Sequence, residues 1–150
     1  MDASCQCGAI KFKTPTPKPQ SLWHCHCSEC KHQSASAFGT SAIFEAFPPL
    51  CPLSDEFKEK LSCYTRPSKS GGSLDCYFCK TCGSRIFHQG RGKDGVRSRT
   101  VSVKGGIIEG MDWSEGEHIW TESAVVSIPP TAKRWAQSPE PESNPAEDSK

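Results

Sequence analysis

Cys79-Lys80-Thr81-Cys82-Gly83 is the stretch whose reading decides the fold. Two cysteines three apart bracket a tight turn, and the glycine behind them permits the left-handed backbone on which such turns often end. A second pair, Cys5-Gln6-Cys7, can complete the set, although spacing alone does not fix which clusters pair. If this segment is a strand, residues 5 and 7 project to one face and reach one metal. Two sulfurs from a strand and two from a turn make a tetrahedral Cys₄ set, Cys5, Cys7, Cys79 and Cys82, which suits structural zinc. Such a site contributes about 10–16 kcal/mol of folding free energy in small peptides, more than the net stability of a modest core.

A third cluster, Cys25-His26-Cys27-Ser28-Glu29-Cys30, differs in kind. Cys25, Cys27 and Cys30 give three ligands and leave a fourth zinc position open, which is the catalytic pattern. Alternatively, His24, His26, His32 or Cys76 closes the set and the site is structural only. Three anionic thiolates quench the metal as an acid for water and favour exchange of a soft thiolate. That points to a thiol substrate and away from a hydrolase. Cys51 and Cys63 belong to no cluster and read as inert thiols. Cys76 extends a Cys-x-x-Cys-x-x-Cys run, but an alternating strand points it differently.

The rest of the composition bounds the class. The chain has 150 residues, 18 basic and 17 acidic, a net charge of +1, and only 35% hydrophobic residues. That is one domain of ordinary size with a modest core in need of a staple. Near-neutral charge makes no case for nucleic acid or an anionic membrane surface. No apolar run approaches the ~18 residues of a membrane span. Met1-Asp2-Ala3-Ser4-Cys5 has no signal-peptide character, and the only asparagine, Asn144, is followed by proline. The expected compartment is therefore reducing, the cytoplasm, where clustered cysteines read as metal ligands before disulfides.

Along the chain, residues 1–13 read as a strand, clearest over Ala9–Lys13. Pro15, Pro17 and Pro19 make 14–20 an extended loop. A small-residue turn and a strand fit 36–47, ended by Pro48, Pro49 and Pro52. Short strands are expected at 60–65, 74–78, 85–88, 99–103 and 119–128, with a Ser68–Gly72 turn. No long 3.6-residue apolar period is present, so helices should be few and short. One domain is expected over 1–135. Residues 136–150, rich in Pro, Glu, Ser and Asp, read as a disordered tail.

These segments resemble the glutathione-dependent formaldehyde-activating enzyme family, which includes the centromere protein V domain. The resemblance is carried by Ser4-Cys5-Gln6-Cys7-Gly8-Ala9-Ile10, His24-Cys25-His26-Cys27-Ser28-Glu29-Cys30-Lys31, Ser36-Ala37-Phe38, Phe78-Cys79-Lys80-Thr81-Cys82-Gly83-Ser84, Val103-Lys104-Gly105-Gly106 and His118-Ile119-Trp120-Thr121, in that order. It implies a mainly β fold, a β-tent of stacked antiparallel sheets stapled by zinc. It also implies two Zn²⁺ sites, structural on Cys5, Cys7, Cys79 and Cys82 and catalytic-type on Cys25, Cys27 and Cys30. The family reaction joins glutathione and formaldehyde to S-hydroxymethylglutathione, a carbon–sulfur lyase activity. One departure is visible: where the family often has Arg-x-x-Ser/Thr-Gly-Ser, this chain has Lys31-His32-Gln33-Ser34-Ala35-Ser36.

The expected function is zinc-dependent carbon–sulfur lysis or thiol-adduct formation on a small, glutathione-like thiol and a carbonyl or thioether adduct. His26, His32 and, through the His-Ile-Trp match, His118 are the candidate proton-transfer residues. Lys31, Lys80 and Arg85 are candidate partners for substrate carboxylates. Trp113, Trp120 and Trp135 are expected to pack at the core or its rim. Other readings are a non-catalytic zinc-bound interaction module and a redox or formaldehyde sensor.

Overall fold

The computed structural model describes residues 1–139. Among the described residues, besides three single 3-10 turns, are nine strands and two short α-helices: β1 (Asp2–Ser4), β2 (Lys11–Lys13), β3 (Ser21–Cys25), α1 (Ser28–Ser34), β4 (Gly39–Glu45), α2 (Asp55–Lys60), β5 (Leu61–Pro67), β6 (Ser73–Cys79), β7 (Arg85–Arg91), β8 (Thr100–Lys104) and β9 (Glu117–Ile119). The mainly β expectation holds, and the helices are few and short.

Seven strands form one sheet in the order β5-β6-β7-β8-β4-β3-β9, and β1 pairs with β2 in a separate ribbon. All neighbours are antiparallel except β3 and β9. The long hairpin β5–β6 registers seven pairs, from Leu61 against Cys79 to Pro67 against Ser73. The ladder narrows at β7–β8 to two, Phe87 with Val103 and His88 with Ser102. On one face Phe87, Val103, Ala42 and Leu22 are buried in a row across four strands. The β1–β2 ribbon and α2 close over this face, with the ring of Phe12 6.1 Å from Phe47 and 6.3 Å from Phe57. β7 buries both of its faces, Phe87 and Gln89 on one and His88 on the other, with a bulge at Ile86 that breaks strict alternation, so the sheet is covered on both sides.

Several local expectations change. Residues 1–13 are two strands joined by a turn, because Gly8 takes φ +75° and Cys5 accepts the Gly8 N–H at 3.0 Å. Cys5 and Cys7 therefore sit on a turn, not on a strand. The expected strand at 119–128 is short: β9 stops at Ile119, Trp120 turns left-handed at φ +58°, and Thr121–Ser123 is a 3-10 turn. The segment 28–34, read only as cysteine-rich, is helix α1. Of the expected tail, Ala136 and Gln137 still accept hydrogen bonds from the N–H groups of Glu122 and Trp120. Residues 140–150 lie outside the described residues.

Candidate metal centres

Two Gly-ended turns build the first centre. Cys5-Gln6-Cys7-Gly8 and Cys79-Lys80-Thr81-Cys82-Gly83 close on left-handed glycines at φ +75° and +74°. The Gly83 N–H donates to the Cys79 carbonyl at 2.9 Å, and the Gln6 N–H crosses to Ser84 Oγ at 3.2 Å. The four Sγ atoms of Cys5, Cys7, Cys79 and Cys82 lie within 4.8 Å of one another. Cys5 and Cys7 are 3.5 Å apart, and Cys7 and Cys79 are 3.8 Å apart. A tetrahedron with metal–sulfur bonds of ~2.3 Å has sulfur–sulfur edges of about 3.8 Å, so this set fits one metal ion. The Ile10 N–H donates to Cys5 Sγ at 3.3 Å. Hydrogen bonds from Ser84 and the Cys7 backbone lower the Cys82 thiol to about 5. Cys5 and Cys79 also belong to the hydrophobic core, so the centre is packed into that core.

The second centre is assembled where β3 meets α1. Cys25 ends the strand, Cys27 is the N-cap of the helix, and Cys30 lies in its first turn. The Cys27 Sγ accepts the Cys30 N–H at 3.4 Å, the bond a serine or aspartate makes at this position. Gln33 Nε2 donates to Cys30 Sγ at 3.5 Å. The three sulfurs lie within 4.8 Å of one another, and among the described residues no fourth His, Cys, Asp or Glu joins the group. Hydrogen bonds from Cys25 and Cys30 push the Cys27 thiol far down, and those to Cys27 and Cys30 push Cys25 up.

The sheet's alternation settles where the histidines go. His24 follows Trp23 and precedes Cys25 in β3, so its ring and the Cys25 thiol project to opposite faces. His24 bonds Thr40 Oγ1 at 2.9 Å and the Trp113 carbonyl at 3.2 Å. Gly116 makes room for it, since a β-carbon there would overlap the imidazole. His26 is fully buried and its Nε2 is 2.9 Å from His118 Nδ1. Burial lowers the pKa of His24, His26 and His118, the last two also through their charged neighbours. These three rings cluster together, while His32 lines a different space.

That space is a cavity of about 370 Å³ between α1 and strands β5, β6 and β7, lined by His32, Glu29, Arg66, Cys76 and Arg85 among others. A second, of about 520 Å³, opens at Cys27 and is lined by Lys69, Leu74 and Trp120. Glu29 and Arg66 border both, so the two meet beside the three-thiol centre. Lys69 Nζ sits 3.7 Å over the Trp120 ring. Trp113 and Trp135 are at the surface, the first stacked on His24, the second donating to Glu117 at 2.9 Å. Lys31 donates to the Ser123 carbonyl and Lys80 to the Glu59 carbonyl, whereas Arg85 lines the first of these cavities.

Sequence reasoning missed three groups on this face. Arg66 lines both cavities, while Lys104 and His88 are buried behind them. An imidazole inside the apolar run Ile86-Phe87-His88 was the available signal for His88, and a lysine closing the alternation Val101-Ser102-Val103-Lys104 for Lys104. Arg66 carried none.

A mainly β fold with one four-thiol group and one three-thiol group beside a cavity defines a small protein with two cysteine clusters that could each hold a metal ion. The model of the glutathione-dependent formaldehyde-activating enzyme family matches residues 1–123, and the chain belongs to that family. No curated protein matches the chain.

Proposed function

We propose that this protein is a zinc-dependent carbon–sulfur lyase, or the corresponding adduct-forming enzyme, for a small glutathione-like thiol and a carbonyl compound. One observation carries the reading: Cys25, Cys27 and Cys30 remain a set of three, with Cys27 lining a cavity, while the other group has four. An all-thiolate donor set fits zinc. Zinc bound by Cys25, Cys27 and Cys30 supplies a soft positive charge that favours the thiolate form of a sulfur ligand near neutral pH.

The chain's own residues supply the rest. Gln33 donates to Cys30 and the Cys30 N–H to Cys27, which holds two of the three sulfurs in place. His32 lines the adjoining cavity and is the proposed proton carrier. In the forward direction the substrate thiol loses its proton to His32 and its sulfur adds to the carbonyl carbon. The carbonyl electron pair moves to oxygen, which takes a proton back. In reverse the carbon–sulfur bond breaks and the carbonyl re-forms. His26 and His118, bonded to each other, hold β9 against β3. They are positioning residues in this reading. The ten free cysteines suit a reducing compartment such as the cytoplasm.

The test is exchange NMR with ¹³C-formaldehyde and glutathione, using zinc-replete wild type and Cys27→Ser. Faster formation and breakdown of the adduct with wild type, lost in Cys27→Ser, supports the reading. No acceleration of any aldehyde–thiol pair in a panel overturns it and leaves the non-catalytic zinc module as the better account.

A further inference from the structure

The sheet face behind the three-thiol centre carries more positive charge than its protein partners balance. Arg66 and Arg85 enter the cavity beneath α1 from β5 and β7. Arg85 Nη1 is buried with no hydrogen-bond partner, and its guanidinium lies 5.4 Å from the Phe78 ring. Arg66 meets Glu29 only loosely, Nε to Oε2 at 3.8 Å, and spends Nη1 on the adjacent Pro67 carbonyl at 3.2 Å. Behind the wall, His88 pairs across the strand with Cys76 and so lies on the same face. It is 4% exposed, and its Nε2 also has no partner. Lys104 is 8% exposed, and its Nζ donates to Ser41 Oγ at 2.8 Å.

A charge count narrows what is missing. Three thiolates and one divalent cation leave a single negative charge, which faces Lys104 from Cys25 and Cys30. Within the cavity, two guanidinium groups face one carboxylate, Glu29. One positive charge is left over. A buried guanidinium donor without an acceptor is costly unless a ligand supplies one. The guanidinium fork matches a carboxylate in two parallel bonds.

The geometry points to a carboxylate subsite in this cavity, formed by Arg85 and Arg66, that anchors the substrate beside Cys25, Cys27 and Cys30. The assignment of substrate rests on the thiol chemistry proposed above; the subsite itself does not. It explains why a cavity next to a sulfur centre is lined by arginine, and it makes the preferred substrate a carboxylate-bearing one. A free neutral thiol reaches the sulfur centre without this anchor.

Calorimetry on the zinc-replete protein tests it with N-acetylcysteine against N-acetylcysteine amide, which differ only in the carboxylate, and with propionate against propionamide. Wild type should bind N-acetylcysteine at least tenfold tighter than its amide. Arg85→Met and Arg66→Met should each cut that ratio to about two or less while leaving amide affinity unchanged. Arg85→Lys, which keeps the charge without the fork and guards against a misfolded methionine variant, should retain a smaller preference. If neither thiol binds but propionate does, in an Arg85-dependent way, the subsite stands, its carboxylate comes from another reactant, and the thiol reading falls. If the acid and amide forms bind alike in both pairs, or if all three variants keep the wild-type ratio, the subsite is overturned.

Discussion

Gly39 lies directly against Cys30. A β-carbon at Gly39 would come within 3.2 Å of the Cys30 Cβ and 3.3 Å of its carbonyl oxygen. The first residue of β4 thus sets how closely α1 approaches the sheet, and with it where the third sulfur stands. Gly39→Val should push the helix outward at a cost of about 1–3 kcal/mol. Metal analysis should then show the three-thiol centre depleted and the four-thiol centre full.

The two centres should respond differently to loss of a ligand. Cys79 is 1% exposed and part of the core, whereas Cys27 caps a surface helix. Cys79→Ser removes a sulfur from the staple that ties the turn of the β1–β2 ribbon to the β6–β7 turn of the main sheet, and the loss should approach the protein's whole stability. Cys27→Ser should stay folded, with a melting temperature within a few degrees of wild type and about one metal fewer per chain. Circular dichroism and metal content on the same samples check both outcomes.

Asp75, 3% exposed, accepts from Thr65 Oγ1 at 2.8 Å and pairs with Arg91 at 3.0 Å and Arg97 at 3.1 Å. It ties β5, β6 and β7 to the loop before β8. Because both arginines keep contact with water, Asp75→Ala should cost about 2–3 kcal/mol, below the range for a fully buried pair. Urea unfolding measures it directly.

Acid should destabilise the fold through His88. Burial, reinforced by the charges of Lys104, Arg85 and Arg66, holds its pKa well below the ordinary value. The unfolded state therefore binds the extra proton first, as pH falls below about 6.5. Stability from this group is complete above that pH and is lost as pH falls toward the folded-state pKa, with a slope of at most ~1.4 kcal/mol per pH unit. Urea unfolding of wild type and His88→Gln at pH 7.5 and pH 5.5 should show the shallower dependence in the variant. Equal slopes would remove His88 from the explanation.

Ala35 closes α1 in the left-handed region, φ +47°, where its N–H reaches the His32 carbonyl. Alanine is strained there by about 1–2 kcal/mol, and glycine is not. The greater freedom of glycine in the unfolded chain offsets about 0.4–1 kcal/mol of the gain. Ala35→Gly should therefore raise stability by about 1 kcal/mol or less, seen as a small rise in melting temperature, with no loss of metal.

Ligand grouping was legible in the sequence because cysteine spacing is local chemistry. Cys79 and Cys82 had to bracket a turn, and Cys25, Cys27 and Cys30 lie too close together to serve distant sites. The strand β4 was legible from Ala42, Phe44 and the prolines that follow. The turn at Cys5–Gly8 was not, since alternation alone reads Ala3 through Phe12 as one strand and only the φ of Gly8 breaks it. Helix α1 was hidden for a similar reason: seven residues show too little of a 3.6-residue period, and its cap is a cysteine.

By itself, then, the sequence determined that the cysteines fall into short-spaced clusters and that the fold is mainly β, while leaving open whether His24, His26, His32 or Cys76 completes the Cys25, Cys27 and Cys30 set, which the structure leaves as three among the described residues. The clusters and the fold class follow from residue identity and short spacing. Only the tertiary structure decided that His24, His26 and His118 gather on one side of β3 while His32 faces the other. It alone brought Arg66 from β5, Arg85 from β7 and Lys104 from β8 onto one face beside Cys30. Strand pairing sets such neighbours, through register and the alternation of faces between residues distant along the chain.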